Sequence, residues 1–304
     1  MIVLGSGPGA DLLRACFVGD LQKGIGAISK GADVNATNSD GPGTGMMCQT
    51  LLYHACRRGH ADIVRLLLEN GADPNAFVDI GPPTNIGFPE ESTPLCWCKG
   101  NLEIVELLLD HGADPMLPKD EPAIFYAGKR DANPKIVQRM LEAGANPNVG
   151  TVYGSILQLA CVVENAKVVE VLLKWNAEPT IMTRDPPDCY WLSTYNIPIL
   201  TMLLGAGADA TTSLCGINMT LIDSAEKRLG LVSLLLEHGA DVNFHPTGES
   251  SVGAALANAD PVKAKWLLAN GADRNATYKG AHISSLTDDP EIVSLLNPRV
   301  KRAE

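Results

Sequence analysis

Residues 62–75 read DIVRLLLENGADPN, and this stretch decides the fold. Its apolar positions recur at helical spacing, so the pattern predicts an amphipathic helix that ends just before Gly71. A tag equal or similar to Gly-Ala-Asp follows such a run eight times, beginning at residues 31, 71, 112, 144, 176, 207, 239 and 271. Successive tags are 40, 41, 32, 32, 31, 32 and 32 residues apart. This nearly constant spacing predicts an array of similar helical units.

The first residue of each tag occupies the position just after the end of a helix. Seven of the eight residues are glycine and the eighth is Asn176. Glycine enters the left-handed conformation that commonly ends a helix without strain, and asparagine is the next best choice. The residue types therefore predict a left-handed cap at every tag, independently of the spacing.

A shorter helix is predicted before each long one, with Thr50 and Ser155 as examples of suitable N-cap residues. The motifs Thr93-Pro94-Leu95 and Gly59-His60-Ala61-Asp62 complete the pattern, which resembles the ankyrin-repeat family over about residues 8–297. Cys96 stands where the family has histidine. The resemblance implies an all-α solenoid of stacked antiparallel helix pairs, with projecting β-turn fingers and a concave face lined by the short helices. We expect one array over residues 1–304, with about eight repeats and a partial C-terminal capping repeat. The repeats are numbered by the tag that follows their long helix, so that repeat one has the tag at residue 31 and repeat three the tag at residue 112.

Two neighbouring fingers are longer than the others, because the gaps of 40 and 41 residues exceed the usual 32. The extra residues lie in Ala36–Gln49 and Ala76–Ser92. Their apolar members are Met46, Met47, Cys48, Phe77, Ile80, Ile86 and Phe88. Apolar residues on adjacent loops favour a binding surface or a lid, with packing of the loops on each other as the alternative.

Three short helices depart from the pattern. Those of repeats three and seven are two residues shorter than in repeats two and five. In repeat three the shortening predicts a notch that would hold Trp97 beside the long fingers, unless the missing residues come from a helix–helix turn. The short helix of repeat six, over residues 186–195, has lost most of its pattern, and it either packs irregularly or forms a recessed site.

Basic residues recur near the ends of the predicted short helices, although the chain has 24 Lys and Arg against 35 Asp and Glu, a net charge of −11. They are Arg57, Arg58, Lys99, Lys129, Arg130, Lys227 and Arg228. Stacked repeats would align them in a stripe that steers an acidic peptide or a small anion, with a solvated row of turn residues as the equal alternative. The acidic balance argues against nucleic acid as a main partner.

The sequence has no recognised catalytic motif. Cys96 and Cys98 are one residue apart without a second pair, whereas zinc sites space their cysteines by two to four residues, so we expect no metal and no cofactor. His60, His111 and His238 have structural positions in the repeat. His54 is the one histidine considered as an acid or base that titrates near neutral pH, with Asp79 as a carboxylate candidate.

These observations predict a non-catalytic scaffold that binds a partner protein or peptide on the concave face and the long fingers of repeats one to three. The predicted contact residues are Met46, Met47, Tyr53, His54, Arg57, Arg58, Phe77, Phe88 and Trp97. The alternative is a small-molecule site, binding or catalytic, under the same fingers. No segment approaches the ~20 apolar residues that cross a bilayer, and the start lacks a basic region. We therefore expect an intracellular monomer, cytoplasmic or nuclear, without a membrane partner.

Overall fold

The computed structural model describes residues 6–37, 49–79, 91–127, 133–151, 154–179, 196–211, 225–245, 249–258 and 260–297. The α-helices in these ranges are α1 (Pro8–Val18), α2 (Leu21–Ser29), α3 (Leu51–Arg58), α4 (Ala61–Glu69), α5 (Leu102–Asp110), α6 (Ala123–Tyr126), α7 (Pro134–Glu142), α8 (Ile156–Val162), α9 (Ala166–Lys174), α10 (Ile197–Gly205), α11 (Ala225–Glu237), α12 (Ser251–Ala257), α13 (Pro261–Ala269) and α14 (Pro290–Leu296). Two 3₁₀ helices span Pro94–Trp97 and Ile283–Leu286. Antiparallel two-residue strands pair as β1 (Val78–Asp79) with β2 (Glu91–Ser92), β3 (Gly150–Thr151) with β4 (Gly154–Ser155), and β5 (Thr277–Tyr278) with β6 (Ala281–His282).

The chain divides into two compact units, Met1–Ala177 and Glu178–Glu304. In the first unit, α1, α3, the 3₁₀ helix Pro94–Trp97 and α6 contact one another in that order and form what we call the first layer. Helices α2, α4, α5, α7 and α9 likewise contact one another in turn and form the second layer. In the second unit α10 packs on α11, α12 on α13, and α13 on α14. Stacked helix pairs are the all-α repeat architecture that the sequence predicts.

The apolar positions of the long helices are buried as their spacing predicts. Ile63 and Leu67 of α4 and Ile104 and Leu108 of α5 are all 0% exposed. Full burial of such a side chain contributes about 1.5–3 kcal/mol relative to exposure. Because each helix pair is small, the stability of the array lies largely in the contacts between successive pairs.

The left-handed caps are confirmed at all eight tags. The seven glycines have φ between 81° and 95°, and Asn176 has φ 59°. At the second tag, the amides of Gly71 and Ala72 donate to the carbonyls of Leu68 and Leu67, each at 3.0 Å. These bonds satisfy carbonyl groups that the end of α4 would otherwise leave unpaired.

The predicted N-caps are also confirmed, since the Thr50 hydroxyl accepts from the Tyr53 amide at 3.2 Å and Ser155 forms a capping box with Gln158. Repeat three has only the four-residue 3₁₀ helix Pro94–Trp97 where repeat two has α3, so the predicted shortening there is correct. The short helix of repeat six and the start of repeat seven lie outside the described residues.

Repeat seven differs from its predicted helix–turn–helix pattern. Lys227 and Arg228 belong to the continuous helix α11 rather than to the end of a separate short helix. The segment is rich in good helix formers, and Gly230 takes no left-handed conformation that would end the helix.

A ladder of side-chain hydrogen bonds joins consecutive tags. The side chain of Asn75 donates from Nδ2 to the Gly112 carbonyl at 2.9 Å and accepts at Oδ1 from the Asp114 amide at 2.8 Å. Asn35 makes the same two bonds to the tag at residue 71, at 3.1 and 2.9 Å. In the next tag Met116 holds the asparagine position, and its sulfur lies 3.4 Å from the Asn146 amide. The ladder therefore has a weaker step between repeats three and four.

Short antiparallel pairings form the base of several fingers. β1 and β2 form the stem of the second long finger, in the register Val78 with Ser92 and Asp79 with Glu91. The first long finger begins and ends at an antiparallel bridge between Thr37 and Thr50. The β3–β4 stem is closed by only the two residues 152–153. Across the described parts of the chain, no helix is long and apolar enough to cross a membrane.

Candidate functional site

Part of the predicted contact set can be placed in the structure. Side chains are described for Tyr53, His54, Arg57, Arg58, Phe77 and Trp97. Met46, Met47 and Phe88 lie outside the described residues, as do Cys48, Ile80 and Ile86. Asp79 pairs through its backbone with Glu91, and its side chain is outside the described set.

Four rings from repeats one to three form an aromatic cluster on the first layer, namely Phe17, Tyr53, His54 and Trp97. The ring centroids of Phe17 and His54 are 4.5 Å apart. The Tyr53 ring contacts His54 at 5.2 Å and Trp97 at 5.3 Å, both edge-on. Edge-on contacts of this kind stabilise aromatic pairs by about 0.5–1.5 kcal/mol each. Tyr53 is 1% exposed and Trp97 is 9% exposed, so the indole that the sequence places in a notch is buried.

Arg57 and Arg58, which we call the basic pair, lie at the end of α3 with both side chains exposed. Arg57 donates from Nη1 to the Tyr53 hydroxyl at 2.9 Å, and its guanidinium carbon is 5.3 Å from the centroid of the Trp97 ring. The guanidinium carbon of Arg58 is 5.0 Å from the centroid of the Phe17 ring. Exposed cations over aromatic rings gain about 0.5–1 kcal/mol. The aromatic cluster therefore holds two guanidinium groups in defined positions at the surface.

The sequence pattern does not identify Phe17 as part of this site. Gly19 and Gly59 both end first-layer helices in the left-handed conformation, with φ of 82° and 81°. Aligning these glycines puts Phe17 in the position that Arg57 occupies in the next repeat. This alignment is the signal that could have found Phe17, because equivalent positions of stacked repeats are neighbours.

His54 differs from its predicted chemistry. The residue is 5% exposed, and Nε2 has no hydrogen-bond partner among the described residues. Burial, followed by the positive charges of Arg57 and Arg58, lowers the pKa of His54 from 6.5 to about 4. The expected titration near neutral pH is therefore wrong for this ring, because its pKa of about 4 lies well below that range.

The cations of this face are not used in ion pairs within the described part of the chain. Arg57, Arg58 and Lys99 have no carboxylate within 4 Å there, whereas on the second layer Arg65 pairs with Glu103 at 3.2 Å. Lys129 and Arg130 lie outside the described residues, as do the side chains of Lys227 and Arg228. The structure thus describes three members of the predicted stripe, all in repeats two and three.

The remaining candidates have simpler explanations. Phe77, at the foot of the second long finger, is 48% exposed and keeps its predicted exposure. Burial raises the pKa of the Cys96 thiol to about 11 and also raises the pKa of Cys98. Both are therefore neutral thiols at pH 7. The described residues contain no cluster of three or more His, Cys, Asp or Glu side chains that could hold a metal ion.

Other histidines have structural roles. His111 and His238 each place Nδ1 2.8 Å from the carbonyl four residues earlier, at the ends of their helices. His60 precedes α4, and its Nε2 lies 3.3 Å from the Phe17 carbonyl. His282 caps the second 3₁₀ helix by accepting at Nδ1 from the Ser284 amide, a role that the sequence does not predict.

The second unit contains a polar recess of about 360 Å³. It is lined by the residues Asn243, Glu249, Ser250, Asp273, Thr277 and Lys279. The backbone amide of Lys279 donates to a Glu249 carboxylate oxygen at 2.8 Å, so part of this lining already has partners within the protein.

Residues 12–119 match the family model of ankyrin repeats, in three copies. Residues 12–119 therefore carry ankyrin repeats, as the sequence motifs predict, and the all-α repeat fold of the described residues is the one that such repeats form. The matched range contains the first three tags, the aromatic cluster and the basic pair. Ankyrin repeats are in general modules for protein–protein interaction. A comparison with curated proteins gives no match.

Proposed function

We propose that this protein is a non-catalytic scaffold that binds a partner protein or peptide through the first layer and the long fingers of repeats one to three. One observation carries the proposal. Two exposed arginines are held over a buried aromatic cluster, and Trp97 of this cluster donates from Nε1 to the Ser92 hydroxyl in the stem of an extended finger. The family match over residues 12–119 supports it, since ankyrin repeats generally bind proteins.

The face has features that favour binding over a purely structural role. Exposed cations that pair with carboxylates stabilise neighbouring repeats, as Arg65 does, but the basic pair has no such partner among the described residues. Arginine and aromatic residues are enriched at the centres of protein interfaces, where they supply much of the binding energy. The family resemblance places short helices on the concave face, which is the surface we assign to the partner.

The test shortens the second long finger without disturbing its stem. Replacing residues 80–90 by Lys-Gly keeps β1 and β2 and copies the two-residue turn of the β5–β6 hairpin, where Lys279 and Gly280 have φ of 49° and 79°. Both positive φ values suit a tight hairpin. Peptides selected from a random displayed library on the unaltered protein should lose binding to this variant, with unchanged far-UV circular dichroism.

A matched control replaces residues 80–90 by a Gly-Ser segment of equal length. It preserves the length of the finger but removes its apolar side chains. Comparison of the two variants therefore separates the contribution of those side chains from that of the length of the finger. Peptides that bind the shortened variant as well as the original protein would contradict the proposal.

A small-molecule site under the same fingers is the second candidate. The observation that favours it is the buried Nε2 of His54, which has no partner among the described residues and could accept or donate one hydrogen bond. With its pKa lowered to about 4 by burial and the adjacent arginines, this ring would act as a neutral hydrogen-bonding group. Thermal-shift screening of small molecules against the protein and its His54→Phe variant tests this function, since a ligand of Nε2 should stabilise only the former.

A further inference from the structure

We propose that the partner segment is acidic, and that its Asp or Glu carboxylates pair with Arg57 and Arg58 while its apolar side chains contact Phe17, the partly exposed ring of the cluster. This inference rests on the proposed binding function and names the chemistry of the partner.

The two layers differ in how their arginines are paired. The chain has more acidic than basic residues, 35 against 24, so carboxylates that could pair with its cations are plentiful. On the second layer, Arg65 reaches Glu103 of the next repeat and Arg139 reaches Asp110 of the preceding one. On the first layer, within the described ranges, neither arginine of the basic pair has a carboxylate in reach. Among the described residues, this face therefore carries positive charge that no carboxylate pairs with.

Arg57 is preorganised to bind a carboxylate. A guanidinium group has five N–H donors in a fixed fork. Among the described residues, Arg57 uses one of these donors, in the hydrogen bond to the Tyr53 hydroxyl. The contact with the Trp97 ring restrains the same group without using its donors. A restrained arginine loses less conformational freedom when it binds a carboxylate in a bidentate manner.

The basic pair creates a positive electrostatic potential around the aromatic cluster. The charges of Arg57 and Arg58 contribute to lowering the pKa of His54, in addition to burial. Their positive potential is thus felt inside the cluster. Lys99 adds a third exposed cation in the next repeat, at the position that aligns with Arg58 when Gly59 and Gly100 are superimposed.

The alternative anionic partners fit less well. A nucleic acid would require neutralisation of many phosphates, whereas the described part of this face offers three cations on a chain of net charge −11. An acidic peptide with apolar residues matches both the charge of the basic pair and the partly exposed ring of Phe17 beside Arg58.

The experiment uses two sets of short synthetic peptides that alternate apolar residues with acidic ones. In the second set every Asp and Glu is replaced by Asn and Gln. Binding to the full chain is measured by fluorescence anisotropy. We expect the acidic set to bind about tenfold more tightly than the neutral set at low salt. This difference in affinity should decrease between about 0.1 M and about 1 M salt, because the Debye length falls from about 10 Å to about 3 Å.

Arg57→Gln combined with Arg58→Gln should remove the preference for the acidic set. The control, Arg65→Gln combined with Arg139→Gln, makes the same change in net charge on the second layer and should retain the preference. Arg57→Lys should retain part of it, because the charge remains while the fork geometry is lost.

The outcomes separate this inference from the proposed function. Equal binding of both peptide sets, with loss in the shortened-finger variant, would overturn the acidic partner and leave the scaffold standing. An acidic preference that persists without the basic pair would also overturn it. Competition by inorganic phosphate as strong as that by the peptides would assign the arginines to a small anion instead. Binding of neither set would count against both proposals.

Discussion

Replacement of Asn75 by alanine should weaken the interface between repeats two and three. The Asn75 side chain bridges the tags at residues 71 and 112 through bonds of 2.9 and 2.8 Å to Gly112 and Asp114. Alanine removes both bonds but leaves the backbone of the turn intact. The chain itself provides an intermediate case, since the Thr211 hydroxyl accepts the equivalent bond from the Asp241 amide at 3.0 Å.

The expected magnitude follows from the number of bonds. A typical intramolecular hydrogen bond contributes about 1 kcal/mol net, so Asn75→Ala should lower the free energy of unfolding by about 2 kcal/mol. Asn75→Thr keeps an acceptor for Asp114 but has no amide to donate to Gly112. It should therefore cost about 1 kcal/mol, half of the alanine effect.

Urea unfolding followed by far-UV circular dichroism measures both variants against the original protein. Because an array can unfold in more than one step, the comparison uses the transition that also changes the fluorescence of Trp97, with the other tryptophans replaced by phenylalanine. Equal midpoints for the threonine and alanine variants, or no shift in either, would refute the two-bond interpretation of the ladder.

Three further predictions concern the caps, the basic pair and His54. Gly144→Ala should cost about 1–2 kcal/mol through backbone strain alone, because φ is 95° and an added Cβ meets nothing within 4 Å; Gly144→Val should cost more than Asn176→Val in thermal melts. Arg57→Glu with Arg58→Glu should slow association of an acidic peptide more than it speeds dissociation, an effect that stopped-flow kinetics should find reduced at high salt. Because burial and the basic pair lower the pKa of His54 to about 4 in the folded state, lowering the pH from about 6.5 to about 4 should cost up to about 3 kcal/mol as the unfolded state takes up the proton. His54→Gln should lack this component, and equal losses in urea titrations of the two proteins would contradict it.

The repeat architecture is predictable from sequence because its signals are local. A glycine or Asn176 in the left-handed conformation depends on backbone sterics at one position, so the tags identify all eight caps. The same holds for Thr50 and Ser155, whose hydroxyls cap helices that begin at the next residue. Spacing and residue type are sufficient to predict a feature wherever the deciding interaction joins residues a few positions apart in the sequence.

The site is less predictable because its interactions cross between repeats. Tyr53 and Arg57 are found from the short-helix pattern, but the contact of Phe17 with Arg58 joins residues about one repeat apart. The suppressed titration of His54 likewise depends on how deeply the ring is buried, which no motif encodes. The shortened helix of repeat three predicts a notch that would hold Trp97, yet the burial of the indole against Tyr53 follows from packing between repeats.

The substitution of Met116 into the asparagine ladder has a consequence for cooperativity. In a stack of repeats, stability is approximately a sum of repeat and nearest-neighbour terms, so the weakest interface decides where the array separates first. The Met116 sulfur is a poor acceptor for the Asn146 amide, and the exposed Arg139–Asp110 pair that crosses the same interface contributes only about 0–1 kcal/mol. We therefore expect the interface between repeats three and four to open before the interface between repeats two and three, and a partner bound to repeats one to three to slow the hydrogen exchange of their amides more than that of amides beyond residue 144.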